Sequence, residues 1–383
     1  MNEIIAYITE FLLYGQHELL PLVGYTANRR LWQQYKAVII PNNHLGKELV
    51  VPDWSLPVMH TEGNTIVFDT DIIYNSFFFI SRAEELINKR RDEHGRFSAV
   101  FSFIGQNSQL ETPLVDIYSI ALLQALGSEV PSAYKHKICL THDVDTIEHY
   151  RHIRGGLGGL MRGEWNKVIA SWRHLSNDPA YTFDWLIEQD KLCARQNNGC
   201  QTIYFIKDTK GKGFDYPQYN LCKKDYLKTE NLLIESGAQL GLHSSYYGQL
   251  PEHTSYKLHR AHYLNCSIPQ MRRLIDIGIT DDYTMGFADK VGFRLQTCRP
   301  VRWIDPESYE LTNLTLHPLS LMDVTLSNFN YMNLDIDQAF EVSCHVIDTI
   351  RKYKGEIVLL WHNSNINSTT YHQTLYPRIL QYI

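Results

Sequence analysis

The chain has 383 residues, more than one hydrophobic core usually organises, so two domains are the expectation. Hydrophobic residues make up 44% and charged residues 20%, the balance of an ordinary globular protein rather than a disordered or fibrous one. The formal net charge of −6 leaves no basic excess to neutralise phosphates, which excludes a general nucleic-acid binder.

The first predicted element is a helix over 4–13, with Ile4, Ile5, Ile8, Phe11 and Leu12 at helical spacing. Glu3 and Glu10 interrupt this apolar stretch and no basic residues precede it, so it does not read as a secretory leader. Short apolar runs at 37–41 and 65–68 read as strands, 71–87 as a buried helix with one charged end, and 114–126 as another helix. A boundary falls around 127–137, beside Pro131, which gives an N-terminal α+β domain over 1–130 and a second domain over 131–383.

From Lys137 onward strand-like runs alternate with helical patterns. The runs fall at 138–141, 202–206, 239–243, 262–264, 278–283, 314–321 and 356–361, and helices are expected at 183–196, 223–236, 269–277 and 337–354. Ser267 and Pro269 open the third of these helices, and Gly355 closes the last. Seven strands in alternation with helices predict a parallel α/β domain, either a seven-stranded barrel or an open doubly wound sheet. In both, ligands gather at the C-terminal ends of the strands. No run approaches the roughly 18 apolar residues of a membrane span. The seven cysteines form no C-x-x-C pair and read as free thiols of a reducing compartment, so a cytoplasmic protein without a membrane span is expected.

Polar residues concentrate at three of those strand ends. Thr141-His142-Asp143-Val144-Asp145 sets two carboxylates two residues apart, on one face of an extended segment. Their repulsion would be relieved by a cation, leaving one carboxylate as ligand and the other as base. His243 ends the third strand as a candidate ligand for zinc or a similar metal. His362 ends the last strand, where it can serve as a general acid.

These residues resemble the polysaccharide deacetylases of the NodB homology type, also called carbohydrate esterase family 4. That family has a distorted (β/α) barrel and removes acetyl groups from amino sugars with the help of a divalent metal. Thr141-His142-Asp143-Val144-Asp145 is similar to its first motif, T-F-D-D-G, with Asp143 in the place of the base and Asp145 one position later than the metal ligand, which leaves the two roles open to exchange. His243-Ser244-Ser245-Tyr246-Tyr247 is similar to its H-[ST]-x-x-H motif but puts Tyr247 where a second metal-binding His is expected. Arg260-Ala261-His262-Tyr263 is similar to R-x-P-Y. Arg260 would then orient the base, and His262, standing at the proline position, is the candidate replacement ligand. Asp282, or Asp281 beside it, would position the catalytic His362. Arg294 and Asp323 lie in loops that could line the pocket. Residues 76–85 and 91–97 resemble a domain that precedes the barrel in a bacterial subgroup of such proteins.

The resemblance implies a distorted (β/α)7 barrel hydrolysing a non-peptide C–N bond in an N-acetylated amino sugar or oligosaccharide. Asp145, His243 and His262 would hold a divalent metal, zinc first, with cobalt, nickel or manganese as alternatives. Asp143, His362, Arg260 and Asp282 would be the catalytic set. Two other readings stay open. The damaged second motif fits an inactive barrel that binds carbohydrate or a protein partner. A phosphotransfer or glycosyl-transfer enzyme could use Asp143-Val144-Asp145 as a Mg²⁺ or Mn²⁺ clamp, but would leave His243 and His362 without roles.

Overall fold

The computed structural model describes residues 2–42, 44–53, 55–207, 213–215, 219, 221–367 and 370–383. Its N-terminal part is built on a four-stranded sheet: β1 (Val23–Tyr25), β2 (Ala37–Ile39), β3 (Met59–Glu62) and β4 (Thr65–Phe68), in the order β1-β2-β4-β3. The first three in that order run parallel and β3 is antiparallel. Helix Ile72–Ile80 is buried at every position. The expected single helix over 71–87 breaks at Arg82, which takes φ 65. That turn carries the Arg82 guanidinium to both carboxylate oxygens of Glu85 at 2.8 Å and to the Cys266 carbonyl at 2.7 Å.

The C-terminal part is a curled nine-stranded sheet: β5 (Lys137–Val144), β6 (Cys200–Lys207), β7 (Gln239–Ser244), β8 (Leu258–Ala261), β9 (Asp281–Met285), β10 (Val301–Asp305), β11 (Glu310–Pro318), β12 (Leu321–Met322) and β13 (Glu356–Leu360). The order is β10-β11-β9-β8-β7-β6-β5-β13-β12. β10 is an antiparallel hairpin partner of β11, and the other pairings are parallel.

β11 pairs with β9 on one side, while β12, only two residues further on, pairs with β13 on the other. The Leu319 N–H donates to Met285 and the Ser320 N–H to Val358, both at 3.0 Å. One strand segment, interrupted at Leu319-Ser320, therefore brings the sheet round on itself, and seven parallel positions result. The sequence expectation of seven strands is met at six of them. The exception is 262–264, which is a 3-10 turn in which Tyr263 and Leu264 take φ 60 and 56; the strand lies just before it, at β8. The antiparallel β10 and the helices Ile153–Met161, Trp165–Arg173 and Thr370–Tyr382 lie outside the expected elements.

Helix ends follow the local signals. Ser267 and Gln270 form a capping box before helix Ile268–Asp276, and Asp335 and Gln338 another before Ile336–Lys352. The residue in left-handed conformation after the latter is Lys354. Gly355 is required because a Cβ there would lie 2.5 Å from the Cys298 carbonyl oxygen.

One hydrophobic cluster joins residues from Ile4 to Leu126 with Met271, Leu274, Trp303 and Leu314 of the C-terminal part. Buried polar bridges cross the same boundary. Arg299 donates to Asp116 at 2.7 Å, to Ser119 at 2.7 Å and to the Phe11 carbonyl at 2.9 Å, and Arg294 donates to Glu85 at 2.7 Å. Arg294 is thus part of the seam between the two sheets rather than of the pocket lining. Among the described residues no helix is long and apolar enough to cross a membrane.

Candidate functional site

Strand parity builds the site. Along β5, Cys139 belongs to an inner cluster with Phe205, Tyr283 and Leu360, whereas Ile138 and Leu140 pack outward against the surrounding helices. Period-two alternation then turns Thr141, Asp143 and, just beyond the strand, Asp145 inward. His142 points the other way, between the Trp361 carbonyl and Asp190, at 2.9 Å from each.

Asp145, His243 and His262 converge so that one ligand atom from each lies within 4.8 Å of the others. Asp145 Oδ1 is 3.6 Å from His243 Nε2 and 3.2 Å from His262 Nε2, yet neither Asp145 Oδ1 nor His243 Nε2 has a partner in hydrogen-bond geometry. His243 is wholly buried, and its Nδ1 donates to the Arg260 carbonyl at 3.0 Å. That bond fixes the tautomer and aims the Nε2 lone pair into the site. Burial outweighs the neighbouring carboxylates and lowers the His243 pKa, which keeps the ring neutral.

His262 is held from behind by Asp215, whose Oδ1 is 2.8 Å from its Nδ1. Asp215 is fixed in turn by the Ser245 hydroxyl and, at 2.9 Å, by the Tyr246 N–H. Burial pushes the Asp215 carboxyl up, but its partners His262 and Ser245 more than offset this and hold it down at about 2. The two left-handed residues after His262 turn the chain out of β8 at the point where this ring enters the site. Backbone strain of this kind persists only where the surroundings over-determine it. Tyr247, at the position where the resembled motif has its second His, is half-exposed and is not in the cluster.

Asp145 carries a further neighbour. The ammonium of buried Lys207, at the end of β6, is 3.4 Å from Asp145 Oδ1 and 3.3 Å from the Asp215 carbonyl. Burial raises the Asp145 pKa, but the approach of His243, His262 and Lys207 more than offsets it and holds the carboxylate well below its usual range.

Asp143 lies 3.1 Å from the Arg260 guanidinium through Oδ1. Its Oδ2 is 3.7 Å from His243 Nε2 and 3.9 Å from His362 Nε2. Arg260 is wholly buried, donates to the Thr141 hydroxyl at 2.6 Å and to the Tyr283 carbonyl at 3.0 Å, and stacks on Phe205 at 4.6 Å.

His362 Nδ1 is 2.8 Å from Asp323 Oδ1, and the other oxygen of Asp323 accepts from the His362 N–H and from Asn365, both at 2.9 Å. Burial lowers the His362 pKa, but Asp323, helped by Asp145 and Asp143, raises it to about 10. A raised pKa favours the protonated ring, whose Nε2 lies 3.9 Å from both Asp143 Oδ2 and Asp145 Oδ2. Asp282, expected to position His362, does not reach it. It is buried against His259, 2.6 Å from Nδ1, and against the Thr284 hydroxyl at 2.7 Å. Asp281 pairs with His317 at 3.0 Å. The contact expected of Asp282 is made by Asp323.

A cavity of about 290 Å³ opens over these groups, lined by Asp143, Asp145, His262 and His362 and walled by Tyr263, Tyr331 and Asn365. Glu93, His94 and Arg96 of the N-terminal part also line it. Arg96 is clamped by Asp92 at 2.8 Å and donates to the Tyr331 hydroxyl at 3.0 Å. The His94 carbonyl accepts from the Tyr246 hydroxyl at 3.1 Å. Lys207, Asp215, Glu93, His94 and Arg96 belong to the site's surroundings without having been singled out as site residues by sequence. Residues 91–97 resemble a domain that precedes such a barrel, and that resemblance carries no sign that Glu93, His94 and Arg96 would line a pocket.

DUF7033, described as a family of unknown function, matches residues 3–131. No curated protein matches the chain. Two solved structures, each described as a putative polysaccharide deacetylase, are similar to it. One, from Mycobacterium smegmatis, shares 12% identity over 66% of this chain and 85% of that chain, with a TM-score of 0.41. The other, from Bordetella bronchiseptica and described as involved in O-antigen biosynthesis, shares 14% identity over 61% of this chain and 74% of that chain, with a TM-score of 0.31.

Proposed function

We propose that the protein is a metal-dependent hydrolase that removes acetyl groups from N-acetylated amino sugars. The observation that carries this reading is the donor set of Asp145, His243 and His262. It offers a carboxylate and a preset imidazole lone pair with no hydrogen-bond partner for Asp145 Oδ1 or His243 Nε2. One carboxylate and two imidazoles suit Zn²⁺, with Co²⁺, Ni²⁺ or Mn²⁺ as alternatives. A divalent ion bound there would polarise the acetyl carbonyl and acidify water.

The remaining steps belong to the chain's own side chains. Asp143, steadied by Arg260, takes the proton of the attacking water. His362, steadied by Asp323 and protonated in the resting site, gives its Nε2 proton to the leaving amine. Tyr263, Tyr331, Asn328, Asn330 and Asn365 line the cavity, an aromatic and amide mixture suited to a sugar's apolar faces and hydroxyls. We read residues 1–130 and 131–383 as two domains, the first supplying the Glu93–Arg96 edge of the pocket; the family match over 3–131 supports the division.

A second reading is favoured by Lys207, whose ammonium already neutralises Asp145. On that reading the barrel binds carbohydrate or a partner without catalysis. Metal analysis of the purified chain with His243→Ala and His262→Ala variants separates the two. The hydrolase reading expects stoichiometric metal that both substitutions strip, together with metal-dependent acetate release from acetylated amino sugars. A wild-type chain that takes up neither Zn²⁺ nor Co²⁺ supports the binding barrel.

A further inference from the structure

We propose that the helical hairpin between β5 and β6, formed by Ile153–Met161 and Trp165–Arg173, is a docking surface for an anionic lipid bilayer. This does not depend on the hydrolase reading. The hairpin turns its large apolar side chains outward. Ile153, Leu157 and Met161 share one face of the first helix at i, i+4 and i+8 spacing. Trp165, Ile169 and Trp172 share one face of the second. All six are exposed, Met161 by 89% and Ile153 by 76%.

The buried seam between the helices is made instead of Gly156, Gly159, Val168 and Ser171. A Cβ on Gly159 would lie 2.6 Å from Val168 and 2.7 Å from the Tyr150 ring, so only glycine permits this approach. Ordinary amphipathic helices bury their large apolar face against the core. Here that face is left outside, over a base that is firmly tied down. Asp178 accepts from the His149 and Tyr150 N–H groups at 2.7 and 2.9 Å. Trp172 donates to the Tyr150 carbonyl at 2.9 Å, and Arg151 is 2.6 Å from Asp225.

Charge selects the occupant. Residues 152–174 carry Arg154, Arg162, Lys167 and Arg173 against Glu164 alone, which lies 3.0 Å from Arg162 and 3.6 Å from Lys167, so the hairpin keeps a positive excess in a chain whose net charge is −6. A hairpin of net positive charge with exposed tryptophan and aliphatic side chains matches the headgroup and acyl layers of an anionic membrane surface. A second copy of the chain fits poorly, because a two-fold contact through this face would set its basic residues against themselves. The hairpin also leaves the barrel at the rim of the cavity. Asn363, next to His362, donates to the carbonyls of Thr146 and Ala180 at 2.7 and 2.8 Å, which ties both ends of the hairpin-bearing segment to the site. A docked hairpin would hold that rim at the lipid surface.

The test is flotation of the full chain with vesicles of phosphatidylcholine and phosphatidylglycerol in equal parts, against pure phosphatidylcholine. At about 0.1 M salt the anionic vesicles should bind about tenfold more tightly or better, with a blue shift of tryptophan fluorescence. Met161→Ser with Trp165→Ser, and separately Lys167→Glu with Arg173→Glu, should each abolish flotation. All four side chains are exposed, so circular dichroism and thermal unfolding should match the wild type. Wild-type protein that ignores anionic vesicles overturns the proposal, as do folded variants that float unchanged. So does a dimer in light scattering that dissociates in the Met161→Ser, Trp165→Ser variant.

Discussion

His243 and His259 sit on neighbouring strands of the same barrel and are both buried, but their surroundings differ in kind. Both ring nitrogens of His259 are partnered, Nδ1 with Asp282 at 2.6 Å and Nε2 with the Ser244 hydroxyl at 2.8 Å. His243 has one partner, a backbone carbonyl, and its Nε2 has none. A buried polar atom without a hydrogen-bond partner costs about 1–3 kcal/mol, and beside it Asp145 Oδ1 also lacks a hydrogen bond, its charge balanced by the Lys207 ammonium at 3.4 Å. A satisfied buried histidine holds strands together. An unsatisfied one pointing at a carboxylate and a second imidazole asks for a ligand.

The strongest way to break this comparison is Asp145→Asn, which removes the charged donor while keeping its size. The variant should lose metal and activity together. Wild-type protein at about a hundredfold excess of metal over Kd should gain about 2.7 kcal/mol in unfolding free energy, and the variant should gain nothing. Calorimetry with and without Zn²⁺ reads this directly.

Next in size, His362→Ala should cost about 10²–10⁴-fold in kcat with metal content intact, because His362 stands outside the donor set. A variant that also loses its metal would move His362 from proton donor to ligand. Asp282→Ala tests the other half of the comparison. Leaving His259 buried without its carboxylate should cost about 3 kcal/mol of stability, measured by urea unfolding. Metal content and kcat of the folded fraction should stay unchanged. Loss of metal at Asp282→Ala would show that the satisfied pair belongs to the site after all.

Much of the barrel was legible because strands buried on both faces are continuous apolar runs, and Ile138-Cys139-Leu140 or Val358-Leu359-Leu360 leave little else to be. The shared face of Asp143 and Asp145 followed instead from the period-two alternation of an extended segment. The β8 assignment slipped by a few residues because His262-Tyr263-Leu264 has the composition of a strand, and nothing in its composition announces two non-glycine residues at positive φ. The hairpin at 153–173 was hidden by its glycines, which lower helix propensity in the first helix. The true neighbour of His362 was out of reach for a different reason. Asp323 and Asp282 both lie in the strand-and-loop stretch between His243 and His362, and only the passage of the sheet through Leu319-Ser320 decides which of them meets the end of β13.

The last effect, spread over pH rather than read at one condition, concerns the opposite end of the barrel, where His317 lies between Glu356 at 2.6 Å and Asp281 at 3.0 Å and stacks on Tyr283 at 4.1 Å. Burial lowers its pKa, but the two carboxylates outweigh burial and raise it to about 9 from the usual 6.5. A raised pKa means that the native state holds this proton more tightly than the unfolded chain does. The stabilisation is therefore complete below about pH 6.5 and fades as pH rises through 9, a loss on the order of 3 kcal/mol. His362, raised to about 10 by Asp323, contributes a slope of the same sign over an overlapping range, so the wild-type curve alone cannot assign it. The difference between wild type and His317→Gln isolates the lower cluster. The variant should be less stable at pH 6, and the gap should narrow by pH 10. If the gap is constant across that range, His317 is held by packing against Tyr283 rather than by its proton.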